Sequence, residues 1–410
     1  MNRISRFLIP FTLTVVLSSA LFAKEELGGV FEQVKTGVEN RAVNLGEAVN
    51  SNSADFGPII SADGNRLFFT SDRPGGLGGQ DFWVSERIRG QWTKARNLGP
   101  PVNTKDDEGP DSFSIFEDAL YFTACNRADG HGGCDLYMTR ETETGWSKPV
   151  NLGSRINSKY NEANASVSSD GNLLIFASDR PGGRGGYDLW MSKRKTSRLG
   201  HKRFCKPENL GPGVNTSEWE GVGFLHSDNR TLYFSSTGRG GSGKADIFLS
   251  RLKDGEWTDA RNIGAIINTP RDDIYFTLPG SGELAYFSSN MRGGIGEEDI
   301  YSIEIPLLMP KKRFFLLQGV IRDKDTGEPV RARVEAMDPE TSKTLVMANS
   351  SPKSGLYQIL LSGKAELASL KVHLIVTSED YQASEQDVDL EAAEDQLILT
   401  RDFALEPERP

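Results

Sequence analysis

The tripeptide Asn-Leu-Gly returns along this chain at Asn44-Leu45-Gly46, Asn97-Leu98-Gly99, Asn151-Leu152-Gly153 and Asn209-Leu210-Gly211, and as Asn-Ile-Gly at Asn262-Ile263-Gly264. The intervals are 53, 54, 58 and 53 residues. A fixed period of this size belongs to repeat architectures, whose units bury their apolar faces only against their neighbours. It constrains the fold before any single residue does. It also favours a binding surface over an active site.

Within one period the pattern is that of short strands. Phe56 to Ser61 is followed by the turn Ala62-Asp63-Gly64-Asn65, then by Leu67-Phe68-Phe69-Thr70-Ser71. The loop Asp72 to Gly79 leads to Asp81-Phe82-Trp83-Val84-Ser85, and Trp92 precedes the return to Asn97-Leu98-Gly99. Runs of about five residues between turn signals predict strands. The second strand returns as Leu120-Tyr121-Phe122, Leu174-Ile175-Phe176, Leu232-Tyr233-Phe234 and Ala285-Tyr286-Phe287. The Gly-Gly loop, the Asp-led third strand and a Trp (Trp146, Trp257, with Phe204 in the third repeat) return as well. Four short antiparallel strands per unit predict a propeller blade.

The fifth unit stops after its third strand, and a surplus Asn44-Leu45-Gly46 precedes the first. The segment Arg41 to Leu45 is therefore expected to supply the missing strand of the last unit, which removes an open sheet edge. The expectation is all-β: a five-bladed β-propeller over 40–306, closed by an N-terminal strand, plus a C-terminal β-sandwich over 313–405.

The repeat Ser-x-Asp-Gly-x-x-Leu-Phe-Phe, Ser-Asp-Arg-x-Gly-Gly-x-Gly-Gly-x-Asp-Phe-Trp and Trp-x-x-x-x-Asn-Leu-Gly resembles the TolB-type WD40-like propeller repeat. Ser61 to Gly99 and Ser169 to Trp190 carry it most fully. The second unit departs from it with Cys125-Asn126-Arg127, the fifth with Gly280-Ser281-Gly282. Beyond a linker at 307–312, Gly319-Val320-Ile321-Arg322-Asp323 with Thr326-Gly327-Glu328-Pro329, and Ser354 to Ile359, resemble the carboxypeptidase regulatory-like domain. About seven short strands in that region favour a sandwich. The resemblance implies an accessory domain without catalytic groups. The combination is similar to OmpA-family envelope proteins, without the OmpA-like domain.

Residues 1–23 read as a signal peptide, with an uncleaved membrane anchor as the other reading: Arg3 and Arg6, an apolar stretch from Phe7 to Phe22, and a small-residue end at Ala23. A segment 24–39 follows. Export to the periplasm, with or without peripheral association with the outer membrane, is expected. No transmembrane span remains after cleavage, because no other apolar stretch is long enough. The net charge of −10 argues against nucleic acid as a partner. One basic loop breaks this acidity, with Lys193, Arg194, Lys195, Arg198, Lys202, Arg203 and Lys206 and no acid between them. It reads either as a solvated hairpin or as a patch for an anionic partner. Of three cysteines, Cys125 and Cys134 end and begin adjacent strands and can form a disulfide; three free thiols is the other reading.

No metal-ligand spacing links His131, His201, His226 and His373, and no cofactor is expected. The recurring chemistry is one acid per unit: Asp55, Glu108, Glu162, Glu220 and Asp273. Each opens a first strand, so five carboxylates are expected around one channel mouth. One arginine per unit, Arg73, Arg127, Arg180, Arg239 and Arg292, is expected beside its acid. Structural ion pairing, binding of a basic peptide or cation, and a five-bladed glycosidase are the three readings. Hydrolysis needs carboxylates in different environments, and five equivalent acids argue against it. The expectation is a non-enzymatic envelope scaffold for a protein or peptide partner. The alternative is a carbohydrate-binding or glycoside-hydrolysing propeller.

Overall fold

The computed structural model describes residues 42–408 apart from 62–63, 115–118, 143–144, 169–170, 197–201, 227, 266, 279–283, 305–313, 353, 363–368 and 392–397. The expected signal peptide, the segment 24–39, Arg41, the linker 307–312, the turn pair Ala62-Asp63, Gly280-Ser281-Gly282 and Arg198 lie outside the described residues. Among the described residues every regular element is a strand.

Four of the sheets follow one plan. The first contains Asp55–Ile60, Arg66–Ser71, Asp81–Ile88 and Gln91–Trp92, with Arg96–Asn97 also on the third strand. The second begins at Glu108–Ser114, the third at Glu162–Val167 and the fourth at Glu220–Leu225. Their second strands are near-continuous apolar runs because both faces are covered; Leu67, Phe68 and Phe69, for example, are all buried. A fifth sheet is built from Asp273–Thr277, Leu284–Ser289 and Asp299–Glu304, and its outer strand is Val43–Asn44, opposite Ser302 and Tyr301. The first strands touch in a cycle, each meeting the next and the fifth meeting the first. The arrangement is propeller-like.

The Asn-Leu-Gly tripeptide is a fastening. The Asn97 carboxamide oxygen accepts the Gly99 amide at 2.9 Å and the Asn103 side chain at 2.8 Å. Gly99 takes a φ of 74°, a left-handed conformation that glycine adopts without a steric penalty. Buried Asn103 in turn bonds the amide and carbonyl of Phe82 on the third strand, both at 3.0 Å. The same set recurs at Asn157, Asn215 and Asn268. At the N-terminal copy, Asn50 bonds Ile300, 250 residues away. The surplus tripeptide thus fastens the last sheet.

The Gly-Gly loops have a packing role. A Cβ on Gly76 would lie 1.9 Å from the Asp81 carboxylate, which holds the loop amides of Leu77 and Gly78. A Cβ on Gly78 would lie 2.0 Å from the Asp106 carbonyl of the next unit. Gly296 stands in the same relation to Ser53, again across the joint between last and first sheets.

Residues 314–405 form two four-stranded sheets around one apolar cluster that includes Leu317, Val334, Tyr357, Val376 and Leu390. Two strands there, Ser384–Glu391 and Phe403–Leu405, go beyond the sequence expectation, because Ser384–Glu391 alternates with acids and Phe403–Leu405 is very short. Val346, Met347 and Ile359 of this region border one end of the axial cavity, which has a volume of about 160 Å³.

Candidate functional site

The five recurring acids are buried. Asp55, Glu162, Glu220 and Asp273 are at 0% exposure and Glu108 at 1%, so they are not presented to a ligand at a channel mouth. Each clamps the turn before its strand. Glu108 accepts the Thr104 amide at 2.9 Å and its hydroxyl, and Glu162 accepts the Ser158 amide and hydroxyl, both at 2.7 Å. Glu220 holds Thr216 and Asp273 holds Thr269 in the same way. Burial pushes the Glu108 carboxyl up despite Thr104 and Arg127, and burial likewise raises Asp273. Sequence spacing alone could not separate a lumen-facing acid from one folded under its own turn.

Three of the arginines meet their acids: Arg73 on Asp55, Arg127 on Glu108 at 3.0 Å and Arg180 on Glu162 at 2.9 Å. Each guanidinium also lies over two rings, as Arg73 does over Phe69 and Trp83. The expected pairs at Arg239 and Arg292 need correction. Arg239 turns its guanidinium onto the carbonyls of Pro212, Gly213 and Val214, and Arg292 is exposed. The cause is the loop: these arginines stand three residues after the ladder serines Ser236 and Ser289, against two residues for Arg73 and Arg180. In the second sheet the extra residue is absorbed by Asn126, whose φ is 56°.

Cys125 and Cys134 stand opposite each other on adjacent strands and form a disulfide. Cys205 is free. Of the basic loop, Lys193, Arg194 and Lys195 continue the third strand of the third sheet, which ends at Thr196. Lys202 and Arg203 lie on the returning strand Lys202–Phe204. Lys206 follows it and is exposed.

The inner strands carry a bulge where the wall of the channel is formed. The register shifts two residues after the acid in four of the sheets. Gly57, Asn164, Val222 and Tyr275 take φ values of 63°, 57°, 51° and 59° there. Left-handed backbone at a β-branched valine and at a tyrosine is uncommon, and bulges of this kind re-aim side chains. In the second sheet Pro110 cannot adopt this φ, and the shift falls one residue later, around Asp111.

Asp111 and Tyr275 border both the axial cavity and a second chamber of about 160 Å³ towards the turn-clamp side. Asp111 accepts the Thr123 hydroxyl at 2.9 Å and is held by the amides of Ala165 and Asn164. Its carboxyl is pushed well above the usual carboxylate range by burial, which these contacts do not offset. It lies deep in the protein yet keeps part of its surface on the lumen. Glu298 is raised from the ordinary 4.5 to about 7 by burial, then by the charges of Asp272 and Asp299. Its Oε1 is buried without a hydrogen-bond partner. Burial raises the Tyr275 phenol, and the charges of Glu298 and Asp111 raise it further. Phe56 faces Tyr275 with ring centres 5.6 Å apart.

No protein-family model matches this chain and no curated protein does. Solved glycoside hydrolases are among the structures similar to it. The catalytic domain of a GH62 α-L-arabinofuranosidase from Coprinopsis cinerea is 12% identical, over 65% of this chain and 96% of that one, with a TM-score of 0.44. A Bacillus subtilis arabinanase is 13% identical over 62% and 95%, with a TM-score of 0.43. A thermostable family-43 glycoside hydrolase is 15% identical over 62% and 90%, with a TM-score of 0.41. No residue role is carried over from them.

The expectation of a non-enzymatic scaffold is corrected at this point. The similar structures are glycoside hydrolases. The channel wall and the joint beside it also hold two carboxyls in distinct environments, for which a ring of equivalent acids left no room. Asp111 and Glu298 both escaped the sequence reading. Their signal was departure from the repeat. Position 111 corresponds to Pro58, Ala165, Gly223 and Phe276 in the other units, and position 298 to Gln80, Cys134, Tyr187 and Ala245.

Proposed function

We propose that the channel binds carbohydrate and hydrolyses a glycosidic bond, within a five-bladed β-propeller of TolB-like repeat type joined to a carboxypeptidase regulatory-like β-sandwich. The leader-like N-terminus supports export of the chain. The observation that carries the functional reading is the cluster of Asp111 and Glu298 about Tyr275. Glycoside hydrolysis needs a carboxyl that is still protonated near neutral pH to protonate the leaving oxygen, and a second carboxylate in a different environment. Glu298, raised to about 7, suits the first role. Asp107 lines the same chamber as Asp111 and is assigned the activation of water. Phe56 and Tyr275 offer ring faces to the apolar face of a sugar, and Asp111 orients a hydroxyl.

The test is a panel of polysaccharides and aryl glycosides, with hydrolysis read as reducing ends and binding by calorimetry. A hydrolysed substrate should be spared by Glu298→Gln, and wild-type turnover should fall as pH rises through about 7, where Glu298 loses its proton. Asp111→Asn should raise KM more than it lowers kcat. Binding without turnover would reduce the reading to a carbohydrate-binding channel. No binding and no turnover across the panel would sink it.

A further inference from the structure

The third sheet carries a hairpin unlike its counterparts. In the first sheet Ile88 stands opposite Gln91, in the second Thr142 opposite Gly145, and in the fourth Lys253 opposite Glu256. In the third the hairpin is longer, and Lys195 stands directly opposite Arg203. Like charges placed directly across a ladder destabilise it. Alternation along the strand puts Lys193 on the same face as Lys195, roughly 7 Å away along the strand. The side chains of Lys193, Lys195 and Arg203 are exposed and make no ion pair among the described residues. The exposed Glu208, on the strand beyond, makes none with them either.

Folding needs account for the other face of the hairpin. Arg194 lies over the Phe204 ring at 4.2 Å and donates to the Tyr121 hydroxyl at 3.1 Å. They do not account for three unpaired cations gathered on one face of a chain whose net charge is −10. We infer that this face binds an acidic polysaccharide, a chain of uronic-acid sugars whose successive carboxylates meet Lys193, Lys195 and Arg203. The choice of a sugar polymer rests on the carbohydrate reading of the channel; the charge cluster stands without it.

Two other polyanions fit less well. A membrane surface calls for apolar side chains that insert beside the cations. The exposed large hydrophobic residues among those described are Val43, Leu77, Ile88, Val150 and Leu345, none of them on this hairpin. A nucleic acid strand calls for free aromatic faces to stack on. The one described ring here, Phe204, is covered by Arg194. An acidic glycan needs neither insertion nor stacking, only spaced cations.

The test uses the full chain and calorimetric titration with tetragalacturonate, against neutral galactotetraose, phosphatidylglycerol vesicles and a single-stranded DNA 12-mer. Binding of tetragalacturonate alone is expected, weakening steeply with salt. The Lys193→Ser/Lys195→Ser/Arg203→Ser variant should lose at least tenfold in affinity, and Lys195→Ser alone about threefold. Both variants should melt no lower than wild type, since the three side chains are exposed and Lys195 and Arg203 repel each other across the ladder. Asp111→Asn and Glu298→Gln should leave this binding intact, which separates it from the channel. Equal binding by wild type and triple variant, no binding by wild type, or hairpin-dependent binding of vesicles or DNA in place of the glycan would each overturn the inference.

Discussion

Glu108 and Asp111 stand three residues apart on one strand, and both are carboxyls that burial pushes up. Glu108 is enclosed by the Thr104 amide and hydroxyl and by the Arg127 guanidinium at 3.0 Å. Asp111 has one hydroxyl and two amides, no cation, and an opening to the lumen. Glu298 has still less, with an oxygen that finds no partner. The turn clamps therefore hold the fold together, and Asp111 and Glu298 are held at a cost by the fold. Burial does not separate the turn clamps from Asp111 and Glu298; compensation does.

The largest test of this contrast converts a clamp into an uncompensated acid. Arg180→Met leaves Glu162 buried without its cation, and loss of one partner of a buried pair costs about 3–5 kcal/mol. Urea unfolding at pH 7 should show that loss; a change under about 1 kcal/mol would mean that the Ser158 contacts suffice.

The reverse test relieves an uncompensated acid. The carboxyl of Glu298 is raised in the folded state, from 4.5 to about 7. Below about pH 4.5 it is protonated in both states and costs nothing. As pH rises from there towards 7, the unfolded chain releases the proton first, so stability falls. Above about 7 the full cost is present. Glu298→Gln should therefore be more stable than wild type at pH 8, by up to about 3 kcal/mol, and equal to it at pH 4. A difference that is constant across this range would show that the carboxyl is not the source of the cost.

The smallest effect is expected at Arg292, which is exposed and makes no ion pair among the described residues. Arg292→Met should change stability by no more than about 0.5 kcal/mol. A loss near that of Arg180→Met would restore a further clamp that the geometry does not contain.

Much of the architecture was legible in the residues. The repeat period, the turn signals and the surplus Asn44-Leu45-Gly46 all depend on local chemistry: an Asx-type turn, a left-handed glycine, strands of alternating or continuous apolar residues. The reach of Asn50 to Ile300 follows from the same motif being used once out of order. What escaped was direction. The five acids recur at the right place on the first strand, but only their turns decide that they fold inward at 0–1% exposure. Arg239 and Arg292 recur as well, yet one additional residue in the loop turns Arg239 onto backbone carbonyls and leaves Arg292 in solvent.

The chain by itself determined a recurring unit of strands, the surplus motif that pairs the two ends of the repeat array, and the cation-rich hairpin, because each is written in short local motifs. Tertiary structure decided which carboxyls are left uncompensated. Asp111 and Tyr275 come from separate inner strands that each carry a bulge and border a shared lumen, and Glu298 stands just before the strand Asp299–Glu304. Their raised proton affinities arise from the exclusion of water and from charges brought together across the ring, and neither is a property of any local stretch of sequence.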